Sequence, residues 1–311
     1  MRALIRTIAA AATVGTVLLL ATTGSQAAGS PHVYWTNHGP GPIPPGTIGQ
    51  ANVDGSGVNQ SFISDPTTPL GIAVDSNHIY WANVFAGTIG RANLDGTGVD
   101  QSFIIGAIAP IAVAVDSGHV YWADQGTCAT TCPPPQQGEG TIGRANLDGT
   151  GVNPSFITGA SNPVGVAVDA NHVYWSNEDP TSGTIGRANL DGTEVNQSFI
   201  TGRLKPSRAR INPFGVVVNA NHLYWGNGCA PCHSSRPSST IGRANLDGTG
   251  VNVRFITGVT YPFALAVDSG YVYWADFDMG TIGRANLDGT GVNQSFITGA
   301  DHPEGVAVDA G

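Results

Sequence analysis

The amino-acid sequence predicts an all-β fold, a six-bladed β-propeller of four-stranded antiparallel blades. Every Trp of the chain follows a Tyr, and the Tyr-Trp pairs recur at spacings of 41 to 53 residues, close to the repeat length of propeller blades. The six Trp are Trp35, Trp81, Trp122, Trp175, Trp225 and Trp274. The segments between them are short, rich in strand formers and separated by Gly, Pro, Asn and Asp, and none has a useful helical period.

The repeat around Trp175 shows the four strands of one predicted blade. They are "GVAVDA" at 165–170, "HVYWSN" at 172–177, "TIGRANL" at 184–190 and "NQSFIT" at 196–201. A four-stranded meander of this size is not stable alone. We therefore expect a ring in which neighbouring blades cover both faces of each sheet.

The Tyr-Trp pair fits this arrangement. Adjacent residues of a strand point to opposite faces of the sheet, so Tyr174 and Trp175 should contact different neighbouring blades. Aromatic side chains of this size bury a large apolar area. The six pairs are therefore predicted to be the main stabilising contacts between blades.

The order of the strands predicts how the ring closes. Beyond residue 28 the sequence begins with the second strand of a repeat, in "SPHVYW", and its final residues, "GVAVDAG", match a first strand. We expect this last strand to complete the first blade. Closure would remove the open sheet edges that otherwise pair with other chains.

The elements "HVYWTN", "RANLDGTG" and "GVAVD" resemble the YWTD repeats (class B) of low-density lipoprotein receptor propellers. The resemblance covers all six repeats and implies a six-bladed, TolB-like propeller that binds something, in a secreted, bacterial-type member of the family. The Asp of the family motif is replaced in four repeats, and the Cys-rich modules that flank the receptor propellers have no counterpart in this sequence, so receptor biology is not implied. The substituted positions are Asn37, Asn83, Asn177 and Asn227.

Residues 1–27 have the features of a secretory signal peptide. Arg2 and Arg6 precede an apolar stretch at 8–21, and Ser25 and Ala27 provide small side chains before the expected cleavage site. The propeller is then expected to span 28–311 and to be extracellular. No later segment is long and apolar enough to span a membrane. The net charge of −9, which becomes −11 when Arg2 and Arg6 are removed, disfavours nucleic-acid binding.

The four Cys lie in two loops, as "CATTC" and "CAPCH". Our first interpretation is two local disulfides, Cys128 with Cys132 and Cys229 with Cys232, because disulfides form in extracellular proteins. A four-Cys zinc site and a c-type haem attached at "CAPCH" are the alternatives.

The sequence contains neither a Gly-x-Ser-x-Gly nor a His-Glu-x-x-His motif. The differences between repeats lie in loops that should emerge on one face of the ring. These loops carry a basic set of residues, Arg203, Lys205, Arg208, Arg210 and Arg236. The residues that follow the Pro of each blade linker should form a largely apolar rim around the channel mouth: Leu70, Ile111, Val164, Phe214, Phe263 and Glu304.

We therefore predict a monomeric, non-enzymatic binding protein without a cofactor. One protein, peptide or amphiphilic small molecule should bind the loop face and contact Phe214 and Phe263 together with the basic set. One alternative is a lactonase-like, metal-dependent hydrolase or lyase with a divalent metal at the channel mouth. Its candidate residues are Asp278, Asp301, His302 and Glu304. A lectin with repeated sites is the other alternative.

Overall fold

The computed structural model describes residues 30–38, 45–126, 139–178, 183–201, 211–228 and 239–309. All of the regular secondary structure within these ranges is β-strand. The described ranges contain no helix with the length and apolar character needed to cross a bilayer. The predicted signal peptide, residues 1–27, lies outside them.

The described residues form 24 strands. The first eight are β1 His32–Asn37, β2 Pro45–Asn52, β3 Asn59–Thr67, β4 Pro69–Val74, β5 His78–Asn83, β6 Thr88–Asn93, β7 Asp100–Ile105 and β8 Pro110–Val115. The next eight are β9 His119–Asp124, β10 Glu139–Asn146, β11 Asn153–Ser161, β12 Pro163–Val168, β13 His172–Asn177, β14 Thr184–Asn189, β15 Asn196–Thr201 and β16 Pro213–Val218. The last eight are β17 His222–Asn227, β18 Ser239–Asn245, β19 Asn252–Val259, β20 Pro262–Val267, β21 Tyr271–Asp276, β22 Thr281–Asn286, β23 Asn293–Thr298 and β24 Pro303–Val308.

The strands form six four-stranded antiparallel sheets, as predicted. Five sheets use consecutive strands, and the first blade has the order β24-β1-β2-β3. The last strand therefore completes the first blade and closes the ring, which confirms the expectation from the repeat order. Trp35 lies opposite Val306 in this closing pair.

The Tyr-Trp pairs build the interfaces between blades. Tyr174 packs in one apolar cluster with Trp225 of the following blade, whereas Trp175 packs with Tyr121 of the preceding blade. The same pairing occurs at all six interfaces. All twelve side chains are among the largest fully buried ones, so the prediction that the two rings serve different neighbours is confirmed.

A repeated Gly makes room for each Trp. A Cβ atom at Gly186 would overlap the indole ring of Trp175, which lies flat against the glycine backbone of the neighbouring strand. The same relationship occurs between Gly and Trp in each of the other five blades. The Gly of the repeated "TIGRAN" strand, or "TIGQAN" in the first blade, is thus needed for the close approach of the ring.

An Arg on the third strand links most blades to the next. In the fourth blade the guanidinium of Arg187 lies 4.0 Å from the ring centroid of Phe199 and donates to the carbonyl oxygen of Leu246 at 3.3 Å. The first blade has Gln50 at this position, whose amide donates instead to the hydroxyl of Tyr34 at 3.4 Å.

The first strands of the blades surround a central channel and contact one another in ring order. One half of the channel is a cavity of about 170 Å³ lined by Ala, Val and Leu. The other half is a smaller cavity of about 40 Å³. Antiparallel pairing places the start of β4, the end of β5, the start of β6 and the end of β7 at the same end of the ring. This end, with the smaller cavity, is called the loop face below.

Candidate binding site at the channel mouth

Three positions of the repeat surround the mouth of the channel on the loop face, and their side chains differ from blade to blade. The first position follows the Pro of the blade linker and comprises the six predicted rim residues. The second precedes that Pro: Thr68, Ala109, Asn162, Asn212, Tyr261 and His302. The third follows the second strand: His38, Val84, Gln125, Glu178, Gly228 and Phe277.

Backbone hydrogen bonds hold these positions together. The N–H of Phe277 donates to the carbonyl of Tyr261 at 3.4 Å, and the N–H of Gly228 donates to the carbonyl of Asn212 at 3.0 Å. The equivalent bond joins the third and second positions in the blades of Gln125 and Glu178. The repeated backbone therefore presents a set of non-repeated side chains.

Four of the rim residues are buried and pack together at the mouth. Leu70, Ile111, Val164 and Phe214 are between 5% and 8% exposed. They form one apolar cluster with Val84 and Ala109, and Tyr261 packs against it. The apolar rim expected from the sequence is present, but on this side it is a packed layer.

Phe214 is the clearest example of this packing. Its ring occupies the space beside Gly228, where a Cβ atom would overlap it. The ring also lies 5.1 Å from that of Tyr261 and 5.7 Å from that of Phe263, measured between centroids. Direct contact between Phe214 and a ligand stays a prediction. In the structure this residue supports the two rings beside it.

The aromatic side chains continue beyond Phe214 towards the sixth blade. Tyr261 stacks on Phe263 at 6.2 Å and contacts Phe277 at 6.1 Å, and Phe277 contacts the imidazole of His302 at 5.1 Å. We call Phe214, Tyr261, Phe263, Phe277 and His302 the aromatic wall. Tyr261, Phe263 and Phe277 are partly exposed, so the wall offers ring surface at the mouth.

Glu304 is the one ionisable side chain among the described residues that line the two channel cavities. It borders the smaller cavity together with Phe263 and the apolar rim. Burial raises the pKa of its carboxyl to about 7. Its carboxyl forms no hydrogen bond within the described ranges, so it is a desolvated acceptor facing a cavity.

The other three residues of the metal-dependent alternative lie on the surface. Asp301 and His302 are about half exposed and form a hydrogen bond of 2.7 Å with each other, and Asp278 is exposed. In the described part of the chain, no three side chains of His, Cys, Asp or Glu are grouped so as to hold a metal ion. The metal alternative stays a prediction, which metal analysis of the purified protein can test.

The remaining predicted site residues lie outside the described ranges. They are the basic set, Arg203, Lys205, Arg208, Arg210 and Arg236, and the Cys residues Cys128, Cys132, Cys229 and Cys232. The structure therefore leaves the basic set and both disulfides as predictions.

The sequence analysis missed Tyr261, Phe277 and Glu178. Each occupies a position immediately before the linker Pro or immediately after the Tyr-Trp strand. Their neighbours in sequence are repeated, and these residues are not. Comparing the repeats position by position at these two places would have identified them.

Comparison with known proteins gives matches at the level of structure. No protein-family model matches the chain, and no curated protein matches it in sequence. A chain from the structure of a nidogen/laminin complex is similar at a TM-score of 0.69 and 19% identity, over 89% of this chain and 98% of that chain. A catalytically inactive variant of virginiamycin B lyase from Staphylococcus aureus, solved with quinupristin, is similar at a TM-score of 0.52 and 15% identity, over 85% of this chain and 84% of that chain. At these identities the likeness establishes the fold alone, a six-bladed β-propeller.

Proposed function

We propose that this protein is a secreted, non-enzymatic YWTD-type propeller that binds one protein or peptide partner at the channel mouth. The observation that carries the proposal is the aromatic wall. It lies on one side of the mouth, where the repeated backbone presents different side chains in different blades. Such a surface can distinguish one partner in one orientation.

The rest of the molecule supports this assignment. The outer turns are close copies of one another, as in Asp95, whose carboxylate accepts hydrogen bonds from the backbone and hydroxyl of Thr97. These carboxylates are occupied in holding the turn. The similar chain of known structure comes from a complex between nidogen and laminin, which is consistent with a propeller that binds a protein.

The proposal can be tested by selecting partners and then locating their site. The protein comprising residues 28–311 would be used to select binders from a displayed peptide library, and a glycan array would be screened in parallel. Calorimetry would give the number of sites. We expect one site per ring and at least a tenfold loss of affinity in the Y261A/F263A variant, because it removes the exposed rings.

A matched control changes the opposite end of the ring. D95A removes a turn carboxylate far from the mouth and should leave peptide affinity unchanged. Several equal glycan sites per ring, weakened by D95A and its copies but insensitive to Y261A/F263A, would establish the lectin alternative instead.

A further inference from the structure

The aromatic wall is bordered by negative charge. Burial raises the pKa of the Tyr261 hydroxyl, and the charges of Glu178, Asp278 and Glu304 raise that pKa further. All three carboxylates therefore lie close enough to influence the same ring. They belong to three different blades at the loop face: Glu178 follows β13, Asp278 follows β21 and Glu304 lies on β24.

These carboxylates have no cationic partner in the described ranges. The ion pairs there all join a His to an Asp, and none includes Glu178, Asp278 or Glu304. The Arg residues of the third strands are occupied between blades, as described for Arg187. In the part of the chain that the structure describes, the one side-chain hydrogen bond to these carboxylates is donated by the amide of Asn162 to Glu178, at 3.0 Å.

A further buried acceptor lies at the second position of the mouth. The side-chain oxygen of Asn212 is buried, with 8% of the residue exposed, and it accepts no hydrogen bond within the described ranges. A buried acceptor without a donor is costly. Among the described residues, Glu304 and Asn212 are therefore acceptors without a donor, a chemistry that is complementary to a ligand with N–H donors.

The cavity beside Glu304 limits the size of the group that enters. Its volume is about 40 Å³, and a water-sized group needs about 10–15 Å³ on the same measure. The cavity therefore holds an ammonium group and its first methylenes. A planar guanidinium is wider and donates in a fixed fork, so it needs a larger volume than an ammonium group.

We propose that the mouth selects a peptide partner through a lysine flanked by apolar side chains, with the lysyl ammonium against Glu304 and the apolar groups on Tyr261 and Phe263. This inference rests on the proposed function and specifies the chemistry of its partner. The ammonium supplies donors to the carboxylate, and the aromatic faces attract the same charge. The apolar flanks cover the exposed parts of the rings.

Four capped tripeptides test the proposal against the protein comprising residues 28–311. N-acetyl-Leu-Lys-Leu-amide is the expected ligand, with Leu-Gln-Leu and Leu-Glu-Leu as its neutral and acidic counterparts. Gly-Lys-Gly keeps the charge without the apolar flanks. Titration at pH 8, followed by chemical shifts, should show the Lys peptide binding at least tenfold more tightly than each of the other three, because a partly desolvated ion pair contributes on that scale.

The matched variants are E304Q and E194Q. E304Q keeps the shape of the side chain and should reduce the ratio of Leu-Lys-Leu to Leu-Gln-Leu affinity to about one. E194Q removes an exposed charge on an outer turn and should leave the ratio unchanged. Retention of the tenfold ratio in E304Q would overturn the assignment of the ammonium to Glu304.

The outcomes separate this inference from the proposed function. Equal binding of the Lys, Gln and Glu peptides, lost in Y261A/F263A, would overturn the lysine preference and leave peptide binding at the mouth intact. Partners that bind elsewhere on the ring would overturn the proposed function itself.

The chain carries candidate cations of its own in the basic set, which has one ammonium, at Lys205, and four guanidinium groups. A variant with Gln at Arg203, Lys205, Arg208, Arg210 and Arg236 tests whether these side chains fill the mouth. If the unaltered protein does not bind the Lys peptide and this variant does, the mouth is occupied by the chain itself and the proposal is wrong. Absence of binding by both proteins would also overturn it.

Discussion

The hydroxyl of Tyr34 donates a hydrogen bond of 3.1 Å to the carboxylate of Asp309, across 275 residues of sequence. The same carboxylate accepts a hydrogen bond from the backbone N–H of His32 at 2.8 Å. In the second blade, Asp75 makes the equivalent bonds to Tyr80 and His78 over five and three residues. One local motif therefore holds a turn in the second blade and closes the ring in the first.

Deleting residues 305–311 should cause a large loss of stability, about 4 kcal/mol or more, or aggregation. The deletion removes most of β24, leaves β1 with an open edge and uncovers the Trp35 side of the first blade. Chemical unfolding and light scattering measure the two effects. An unchanged unfolding midpoint would contradict the closing role of β24.

The point variants D309A and D75A separate closure from the local hydrogen bonds. Each loses the two equivalent bonds, and D75A also loses the bond that the backbone N–H of Asn77 donates to Asp75 at 2.7 Å. Each variant should therefore lower the free energy of unfolding by at least about 1–2 kcal/mol. The two variants should differ in the rate of amide hydrogen exchange, because D309A weakens the pairing of β24 with β1 that closes the ring, whereas D75A affects only a turn within the second blade. We expect faster exchange in β1 and β24 of D309A, without a matching change in β4 and β5 of D75A.

The stability of the protein should fall between about pH 4 and pH 7 because of Glu304. Its carboxyl retains a proton in the folded state up to about pH 7, whereas in the unfolded chain it loses that proton near pH 4.3. The folded state thus binds more protons in this window, and its stability decreases as the pH rises. The full effect, at most about 4 kcal/mol, is reached above pH 7.

E304Q measures this contribution directly. The variant should be more stable than the unaltered protein at pH 8, and the difference should shrink towards zero near pH 4. E194Q, at an exposed outer turn, serves as the control and should follow the unaltered protein at every pH. Parallel stability curves for E304Q and the unaltered protein would show that Glu304 is not desolvated.

Q50R should stabilise the protein by about 1 kcal/mol, or roughly 2 °C in Tm. The first blade has Phe62 below this position, as the other blades have Phe103, Phe156, Phe199, Phe255 and Phe296. An Arg would add a cation–π contact there and reach the neighbouring blade. R187Q is the reverse change and should lower the free energy of unfolding by a similar amount. If R187Q is destabilised but Q50R is not stabilised, an Arg at position 50 makes no favourable contact with the neighbouring blade.

The four Cys residues, which lie outside the described ranges, are predicted to form two disulfides. The secreted protein should contain no free thiol, with Cys128 linked to Cys132 and Cys229 to Cys232. Because the loops are small, each bond should contribute only about 2 kcal/mol. Peptide mapping without reduction tests the pairing, and a covalent haem or a link between the two loops would disprove it.

The sequence predicted the body of the ring in detail because the same physical requirement occurs six times. Alternation along the strand assigned Tyr174 and Trp175 to opposite faces, and the structure places them there. The order of the strands likewise predicted the closing strand. Because each pattern occurs in several repeats, neither prediction depended on the interpretation of a single segment.

The channel mouth was predicted less completely because its side chains depend on neighbours that do not repeat. Phe214 was predicted to lie on the apolar rim and to contact a ligand. Its burial depends on Gly228, fourteen residues later, which leaves space for the ring. The contact between Tyr261 and Phe277 joins a residue just before β20 to one just after β21. Strand alternation carries no information about such contacts.

The position of β24 in the first blade has a consequence for synthesis. A chain made from its N-terminus produces β1, β2 and β3 first, yet their sheet lacks its inner strand until Pro303–Val308 has been made. During that interval the first blade has an edge that pairs with any compatible strand. Slow translation would therefore favour pairs of chains that exchange β24, and a chain that stops before β24 could only accept this strand from a complete chain. The yield of monomer would depend on how quickly each chain supplies its own β24.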